Sequence, residues 1–295
     1  MVEAMGLWEL YQQAARELSA RMPEREASFE AFCLLEKLFG WNKNQVLLHK
    51  DQEVSPEQAE NLAALLEKRK SGYPLQYLLG SWDFWGYDFQ VGEGVLIPRA
   101  DTETLCEAVL TAAKDFPAPV ICDLCSGSGC LPVVYAKELP QARRIYAVEL
   151  SEAALPYLRA NVERHGCENV RIVPEDALRW TPPEPLHIIS ANPPYLSADE
   201  MAQLQKEVNF EPKMALEAPE NGLYFYRILS RRCYDWLAEG GFLAFEVGYR
   251  QAAAVAELMK KAAYTDIRIT ADLCGVERVV SGRKKAAAPL SPATV

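Results

Sequence analysis

The tetrapeptide Asn192-Pro193-Pro194-Tyr195 follows the apolar run Leu186-His187-Ile188-Ile189-Ser190-Ala191, which places a stiff polar turn at the carboxyl end of a buried strand. Open α/β sheets bind their ligands at that end. Pro193 and Pro194 have no N–H and a fixed φ, so the turn offers free carbonyls in a rigid frame beside the Asn192 amide. Such a frame accepts both hydrogens of an NH2 group and leaves the nitrogen's remaining electron density pointing outward. That suits transfer of a group onto a planar nitrogen. A proline turn that only closes a strand has the same residues, so the rest of the chain must decide between the two.

A second constellation lies upstream. Asp123-Leu124-Cys125-Ser126-Gly127-Ser128-Gly129 leaves an apolar strand and enters a helix near Leu131. Gly127 and Gly129 let backbone approach a ligand, and the open N–H groups of a helix start favour a negative group such as a carboxylate. Glu149 ends the next strand about 20 residues on, the spacing at which an acid reaches ribose hydroxyls in nucleotide-binding sheets. Neither the dinucleotide G-x-G-x-x-G pattern nor the G-K-[ST] ending of a phosphate loop is present. A ligand with a ribose and a carboxylate but no phosphate meets these conditions, and S-adenosylmethionine is the common one. Asp176, after a third strand, is a candidate partner for an adenine amino group or a plain loop carboxylate.

These residues need a sheet to hold them. Strand and helix patterns alternate from Pro119 onward: Val120 to Leu124, a helix to Glu138, Arg144 to Val148, a helix from a Ser151 cap to His165, Val170 to Val173, then Leu186 to Ala191. Such alternation signals a parallel sheet covered by helices. Gly241 to Val247 supplies another strand, Gln251 to Ala263 a helix, and Thr265 to Thr270 with Val276 to Ser281 a closing hairpin. Upstream, Leu7 to Lys70 reads as successive short helices, with Phe29, Phe32, Cys33, Leu35, Leu38 and Phe39 at helical spacing and a Ser55-Pro56-Glu57 helix start. Ser81 to Phe89, aromatic and alternating around Gly86, predicts a β-hairpin between the two regions. The tail from Arg283 to Val295 is expected to be disordered.

The 295 residues and 49% hydrophobic content allow a substantial core. A net charge of −10 opposes wrapping of nucleic-acid phosphates and favours a basic macromolecular partner. No signal pattern or membrane-length apolar stretch is evident, so a soluble cytoplasmic protein, a monomer, is expected. Of eight cysteines, Cys122, Cys125 and Cys130 lie closest, but no second ligand pair follows and only three histidines occur. Reduced thiols and no metal are the expectation.

Taken together, the chain resembles the protein-(glutamine-N5) methyltransferases that act on peptide chain release factors. Besides the Asn192 turn, the resemblance is carried by Gly72-Tyr73-Pro74-Leu75-Gln76-Tyr77 with Gly80, Phe84-Trp85-Gly86, and Val95-Leu96-Ile97-Pro98-Arg99 with Thr102-Glu103. Phe210-Glu211-Pro212, Ala215-Leu216 and Asn221-Gly222-Leu223-Tyr224-Phe225-Tyr226 continue it, so that it spans roughly Leu7 to Arg283. It implies a seven-stranded, Rossmann-like class I α/β methyltransferase domain over residues 99–283, a helical substrate-docking domain over 1–75 and a β-hairpin linker over 76–98. It also implies S-adenosylmethionine as methyl donor and a glutamine in a Gly-Gly-Gln loop as acceptor. By position, Asp123, Cys125, Ser126, Gly127, Ser128 and Gly129 would line the cofactor's methionine end, Glu149 its ribose, and Asp176 with Ala177 the adenine edge. Asn192 and Pro193 would hold the glutamine amide, with Pro194 and Tyr195 shaping its slot. The chain departs from the family pattern at Cys125, where glycine is common, at Glu149 for aspartate, at Ala100-Asp101 for Pro-Glu, and at Ala177 for a bulky residue.

An adenine-N6 DNA methyltransferase would present the same NH2 group from a flipped base. Net charge and the absence of a target-recognition domain weigh against it. A catalytically idle, cofactor-binding adaptor for translation factors is the other alternative, opposed by the intact Asn192 turn.

Overall fold

The computed structural model describes residues 6–286, and the tail expected to be disordered lies outside them from residue 287 onward. The chain forms two units, one running to Ser81 and including Gln205–Phe210, the other comprising Trp82–Leu204 and the chain from Glu211.

The first unit is helical: α1 (Leu7–Ser19), α2 (Glu24–Phe39), α3 (Lys43–Leu48), α4 (Pro56–Lys70) and α5 (Leu75–Leu79). Helix α1 buries Leu7, Leu10, Tyr11, Ala14 and Leu18, one stripe at 3.6-residue spacing. The Ser55 start is a capping box: Ser55 Oγ accepts the Gln58 N–H and Gln58 Oε1 accepts the Ser55 N–H, with Pro56 in the first turn. In α2 the buried face is Ala27, Glu30, Ala31, Leu34 and Leu35. The aromatic stripe expected there is therefore displaced, and Phe29 stands 55% exposed. The same face carries a buried ion pair. Arg69 donates from Nε and Nη2 to both Glu30 oxygens, at 2.6 and 2.8 Å, and from Nη1 to Glu207 at 3.1 Å.

The second unit begins with a hairpin of β1 (Ser81–Phe84) and β2 (Tyr87–Gln90) turning through Trp85 and Gly86, both at positive φ. Its Phe84 and Phe89 rings are buried among residues of the sheet and its helices, so the hairpin expected as a linker contributes core to this unit. Then come α6 (Thr102–Ala113), β3 (Val120–Leu124), α7 (Cys130–Glu138), β4 (Arg144–Val148), α8 (Leu155–Arg164), β5 (Val170–Val173), β6 (Leu186–Ala191), α9 (Ala198–Met201), α10 (Tyr224–Trp236), β7 (Leu237–Glu246), α11 (Ala252–Lys261), β8 (Thr265–Ala271) and β9 (Glu277–Arg283). The seven strands β3 to β9 lie in the order β5-β4-β3-β6-β7-β9-β8, with β3 to β7 parallel and β9 antiparallel to both neighbours.

Period-two alternation explains the two cores. Val120, Cys122 and Leu124 of β3 face one hydrophobic cluster with α10 and α11, while Ile121 faces the other with α6 and α7. Two boundaries differ from expectation. Helix α8 starts at Leu155, since the Ser151 hydroxyl accepts the Ala154 N–H in a preceding turn rather than capping the helix itself. Strand β7 begins at Leu237, because a register shift opposite Leu186 and Ile188 lets it pass Gly240 and Gly241 without ending.

Candidate active site

A cleft with a cavity volume of about 100 Å³ opens at the carboxyl ends of the central strands, where open α/β sheets bind ligands. Its walls include Gly94 and Leu96 before α6, Cys125 and Gly127 after β3, Val148 to Ser151 around the end of β4, Glu175 to Ala177 after β5, Asn192 and Pro194 after β6, and Phe225 on α10. The β3 loop, Glu149, Asp176 and the Asn192 turn, far apart in sequence, thus share one cavity.

Backbone amides organise the β4 side. Glu149, 8% exposed, accepts the Gly127 N–H on Oε2 and the Ser151 N–H on Oε1, each at 2.7 Å. Burial pushes its pKa above the usual carboxylate range, opposed by these donors. Gly127 has φ +53°, and a Cβ there would meet nothing within 4 Å, so the missing side chain leaves cleft space open. Gly129 caps α7 at φ +83°, and a Cβ would collide with Leu158 of α8. No N-cap side chain satisfies the first N–H groups of α7. Cys125 adopts φ +62°, a left-handed conformation that explains why glycine suits that position.

Not every expected cofactor residue reaches the cleft. Asp123, Ser126, Ser128 and Gly129 stand behind its wall: Asp123 is 1% exposed and accepts the Ser190 hydroxyl at 2.6 Å, while Ser126 Oγ donates to the Asp123 carbonyl. Burial raises the Asp123 carboxyl to about 7. These residues shape the loop. Asn161, fully buried on α8, holds it from outside, donating to the Ser128 carbonyl at 2.8 Å and to Gln90 of the hairpin at 3.0 Å. Asp176 does line the cleft while Oδ1 accepts the Leu178 N–H at 2.8 Å, so it serves its loop and leaves acceptor capacity over. Ala177 beside it is small and buried, and Phe225 supplies an aromatic wall instead.

The Asn192 turn is braced by its surroundings. Tyr195 and Leu196 donate N–H bonds to the Leu216 carbonyl at 3.1 and 2.8 Å, and Gln251 Nε2 donates to the Tyr195 carbonyl at 2.8 Å. Asn192 Nδ2 donates to Thr102 Oγ1 at 3.4 Å, which directs the amide nitrogen toward α6. Pro194 lines the cleft, whereas the Pro193 ring and the Tyr195 side chain are not among its walls. Glu211 latches the opposite rim, its carboxylate accepting the Ile97 N–H at 3.0 Å and pairing with Arg99, so that Leu96 and Pro212 of the wall are tied together. Sequence reasoning passed over Leu96, Phe225, Asn161 and Glu246. Only Glu246 had a signal of its own, an acid at the end of the apolar run Phe242-Leu243-Ala244-Phe245.

All eight cysteines are free thiols. Burial holds Cys130 up at about 12 and Cys122 and Cys125 well above the ordinary thiol value, which makes them poor nucleophiles. Among the described residues no helix is long and apolar enough to cross a membrane.

Comparison with known proteins fits this geometry. Residues 9–80 match the family model of the PrmC N-terminal domain and residues 101–217 that of the methyltransferase small domain. The release factor glutamine methyltransferase of Fusobacterium nucleatum is 35% identical over 82% of this chain and 69% of its own. That of Moorella thermoacetica is 35% identical over 93% of this chain and 97% of its own. A crystal structure of a methyltransferase from Pyrococcus furiosus shares the fold at 16% identity, with a TM-score of 0.51 over 77% of this chain and 98% of that one. With a parallel sheet, a ligand cleft at its carboxyl edge and relatives of this identity along most of their length, the chain belongs to the release factor glutamine methyltransferase family.

Proposed function

We propose that this protein methylates the side-chain amide nitrogen of the glutamine in the Gly-Gly-Gln loop of peptide chain release factors, with S-adenosylmethionine as methyl donor, in the cytoplasm. The observation that carries the proposal is the Asn192 side chain: Nδ2 is committed to Thr102, and Oδ1 remains as an acceptor at the cleft wall.

The residues present fit the cofactor. The Glu149 carboxylate keeps acceptor capacity beyond its backbone donors, suited to a ribose hydroxyl. Gly127 leaves the space a Cβ would fill, the uncapped start of α7 suits a carboxylate, and Phe225 with Leu96 and Leu150 offers apolar walls to an adenine ring. Bound there, S-adenosylmethionine supplies an electrophilic methyl group that needs no metal.

An amide nitrogen is a weak nucleophile because its lone pair is delocalised into the carbonyl. Asn192 Oδ1 and the Pro193 carbonyl each accept one N–H of the glutamine amide, which fixes the nitrogen and turns its open face to the cleft. Positioning of this kind replaces an encounter between free reactants with a fixed geometry. Pro194 and the apolar walls exclude water. N-alkylation itself makes the remaining proton acidic, so its departure needs no strong base before attack.

The test is to incubate the protein with labelled S-adenosylmethionine and, in parallel, release factor or duplex DNA, and to locate the label by mass spectrometry. Label on the Gly-Gly-Gln glutamine is the expected result. Label on adenine, or none on the factor, refutes the proposal.

A further inference from the structure

Glu246 is 1% exposed at the end of β7, and its Oε2 has no hydrogen-bond partner. A buried carboxylate oxygen left this way is costly, so its retention asks for a reason. Its position in the sheet supplies one. Ala191 of β6 pairs with Phe245 of β7, and one further step along these parallel strands sets Asn192 beside Glu246. Thr102, 4% exposed at the start of α6, completes a triangle: its Oγ1 accepts from Asn192 Nδ2, and both its hydroxyl and the Asn192 amide act on the Glu246 carboxyl. A hydroxyl that accepts from an amide still has its single proton to donate. The Glu246 carboxyl lies close enough to Thr102 and Asn192 to be that acceptor.

We propose that Glu246, acting through Thr102, is a positioning residue that holds the Asn192 amide with its nitrogen inward and Oδ1 toward the substrate. The proposal rests on the reading of Asn192 as the acceptor for the glutamine amide. An asparagine has an oxygen and a nitrogen of nearly equal size, and only its partners decide which one faces the cleft. An ionised Glu246 can only accept, so the Thr102 proton points to it and Oγ1 is left to receive Asn192 Nδ2. A protonated Glu246 can donate to Thr102 instead, which frees the Thr102 proton for Asn192 Oδ1 and removes the preference.

Other groups also face this carboxyl. Arg278 of β9 lies near it but is bound to Asp101 at 3.1 Å and Asp272 at 3.4 Å. The Tyr226 hydroxyl of α10 donates to the Glu246 backbone carbonyl at 2.8 Å, and Tyr195 and Cys130 are close enough to feel its charge. Burial outweighs the stabilising partners and raises Glu246 to about 7. Methyl transfer is therefore expected to rise with pH through neutrality as the carboxyl ionises.

Single-turnover methylation of a release factor, with S-adenosylmethionine saturating, is measured from about pH 6 to pH 8.5 for wild type, Glu246→Gln, Thr102→Val, Thr102→Ser and Asn192→Ala. Cofactor affinity and melting temperature are measured beside it. Glu246→Gln is expected to slow transfer about tenfold at the upper pH and flatten the rise through neutrality, with cofactor affinity unchanged. Thr102→Val should do the same, and Thr102→Ser should restore most of the rate. A wild-type rate and pH profile in Glu246→Gln, or a Thr102→Val enzyme as fast as Thr102→Ser, overturns the proposal. If Asn192→Ala transfers normally, the reading of Asn192 itself has failed. If Asn192→Ala is slow while the Glu246 and Thr102 variants behave as wild type, only the role of Glu246 is refuted.

Discussion

The two units treat buried carboxylates in opposite ways. In the helical unit Glu30 meets Arg69 through two short hydrogen bonds, so charge and hydrogen-bonding capacity are cancelled together. In the catalytic unit Asp123 meets hydroxyls, Ser190 among them, and no cation, and Glu246 keeps an oxygen with no partner. Burial raises these two acids to about 7, so they titrate near neutrality. A buried ion pair clips helices together, and a buried acid without a cation is a group whose protonation the fold can use.

The sharpest way to break this comparison is at the clip. Arg69→Ala leaves Glu30 buried without its cation and should destabilise the helical unit by about 3 to 5 kcal/mol. Replacing both partners by methionine should recover most of that loss. Denaturant unfolding followed by the tryptophans of this unit checks it, and an Arg69→Ala protein as stable as wild type would erase the contrast.

At the Asn192 turn the expected loss is one of rate. Asn192→Ala should slow methyl transfer on the order of 100-fold while leaving cofactor affinity nearly intact, because the proposed partner of Asn192 is the substrate amide. Asn192→Asp retains an acceptor and should keep more activity than Asn192→Ala. Rapid-quench turnover with separate calorimetry tells the two effects apart, and equal rates in the three proteins would reduce the turn to a strand end.

Glu149 stands between the two behaviours, since it is buried but held by backbone donors. Glu149→Ala should weaken cofactor binding by about 1 to 3 kcal/mol. The same change frees the Gly127 and Ser151 N–H groups, so faster amide exchange in the β3 loop without cofactor should accompany it. Lost affinity with an unchanged loop would assign Glu149 to the ligand alone.

A pH series separates Asp123 from its paired counterpart. Its folded pKa of about 7 lies above the ordinary aspartate value of 3.8, so the stability it contributes is complete below about pH 4 and is lost as pH rises toward 7. Asp123→Asn should remove part of that slope, and adding Glu246→Gln should remove more. The trend for stability is opposite in sign to that expected for activity. A slope unchanged in the double variant would mean that neither acid is protonated in the folded protein at pH 5.

The smallest effect is expected at Cys125. Its positive φ costs an ordinary residue roughly 1 to 2 kcal/mol, while its side chain packs against the core. Cys125→Gly should therefore change the melting temperature by only a few degrees, and a collapse of the fold would show that packing dominates at that site.

Much of the catalytic unit was legible because a parallel strand buried on both faces is a continuous apolar run. Val120–Leu124, Arg144–Val148 and Leu186–Ala191 were readable to the residue for that reason, and the edge strand Val170–Val173 from its β-branched residues. The α8 start was not, since Ser151 is followed by a turn that uses the same hydroxyl chemistry as a cap. The face of α2 was misread because apolar spacing cannot say that two alanines and a paired glutamate pack better than Phe29.

By itself the sequence determined the order of strands and helices, the glycine loop and the proline-stiffened Asn192 turn, because periodicity, missing side chains and fixed φ are local properties. Only the tertiary structure decided that Asp123 stands behind the cleft, that Phe225 and Leu96 form its walls, and that Thr102 and Glu246 meet Asn192. Those facts depend on which strands become neighbours and at what register. No local pattern contains that choice, because hydrophobic burial summed over the whole sheet makes it.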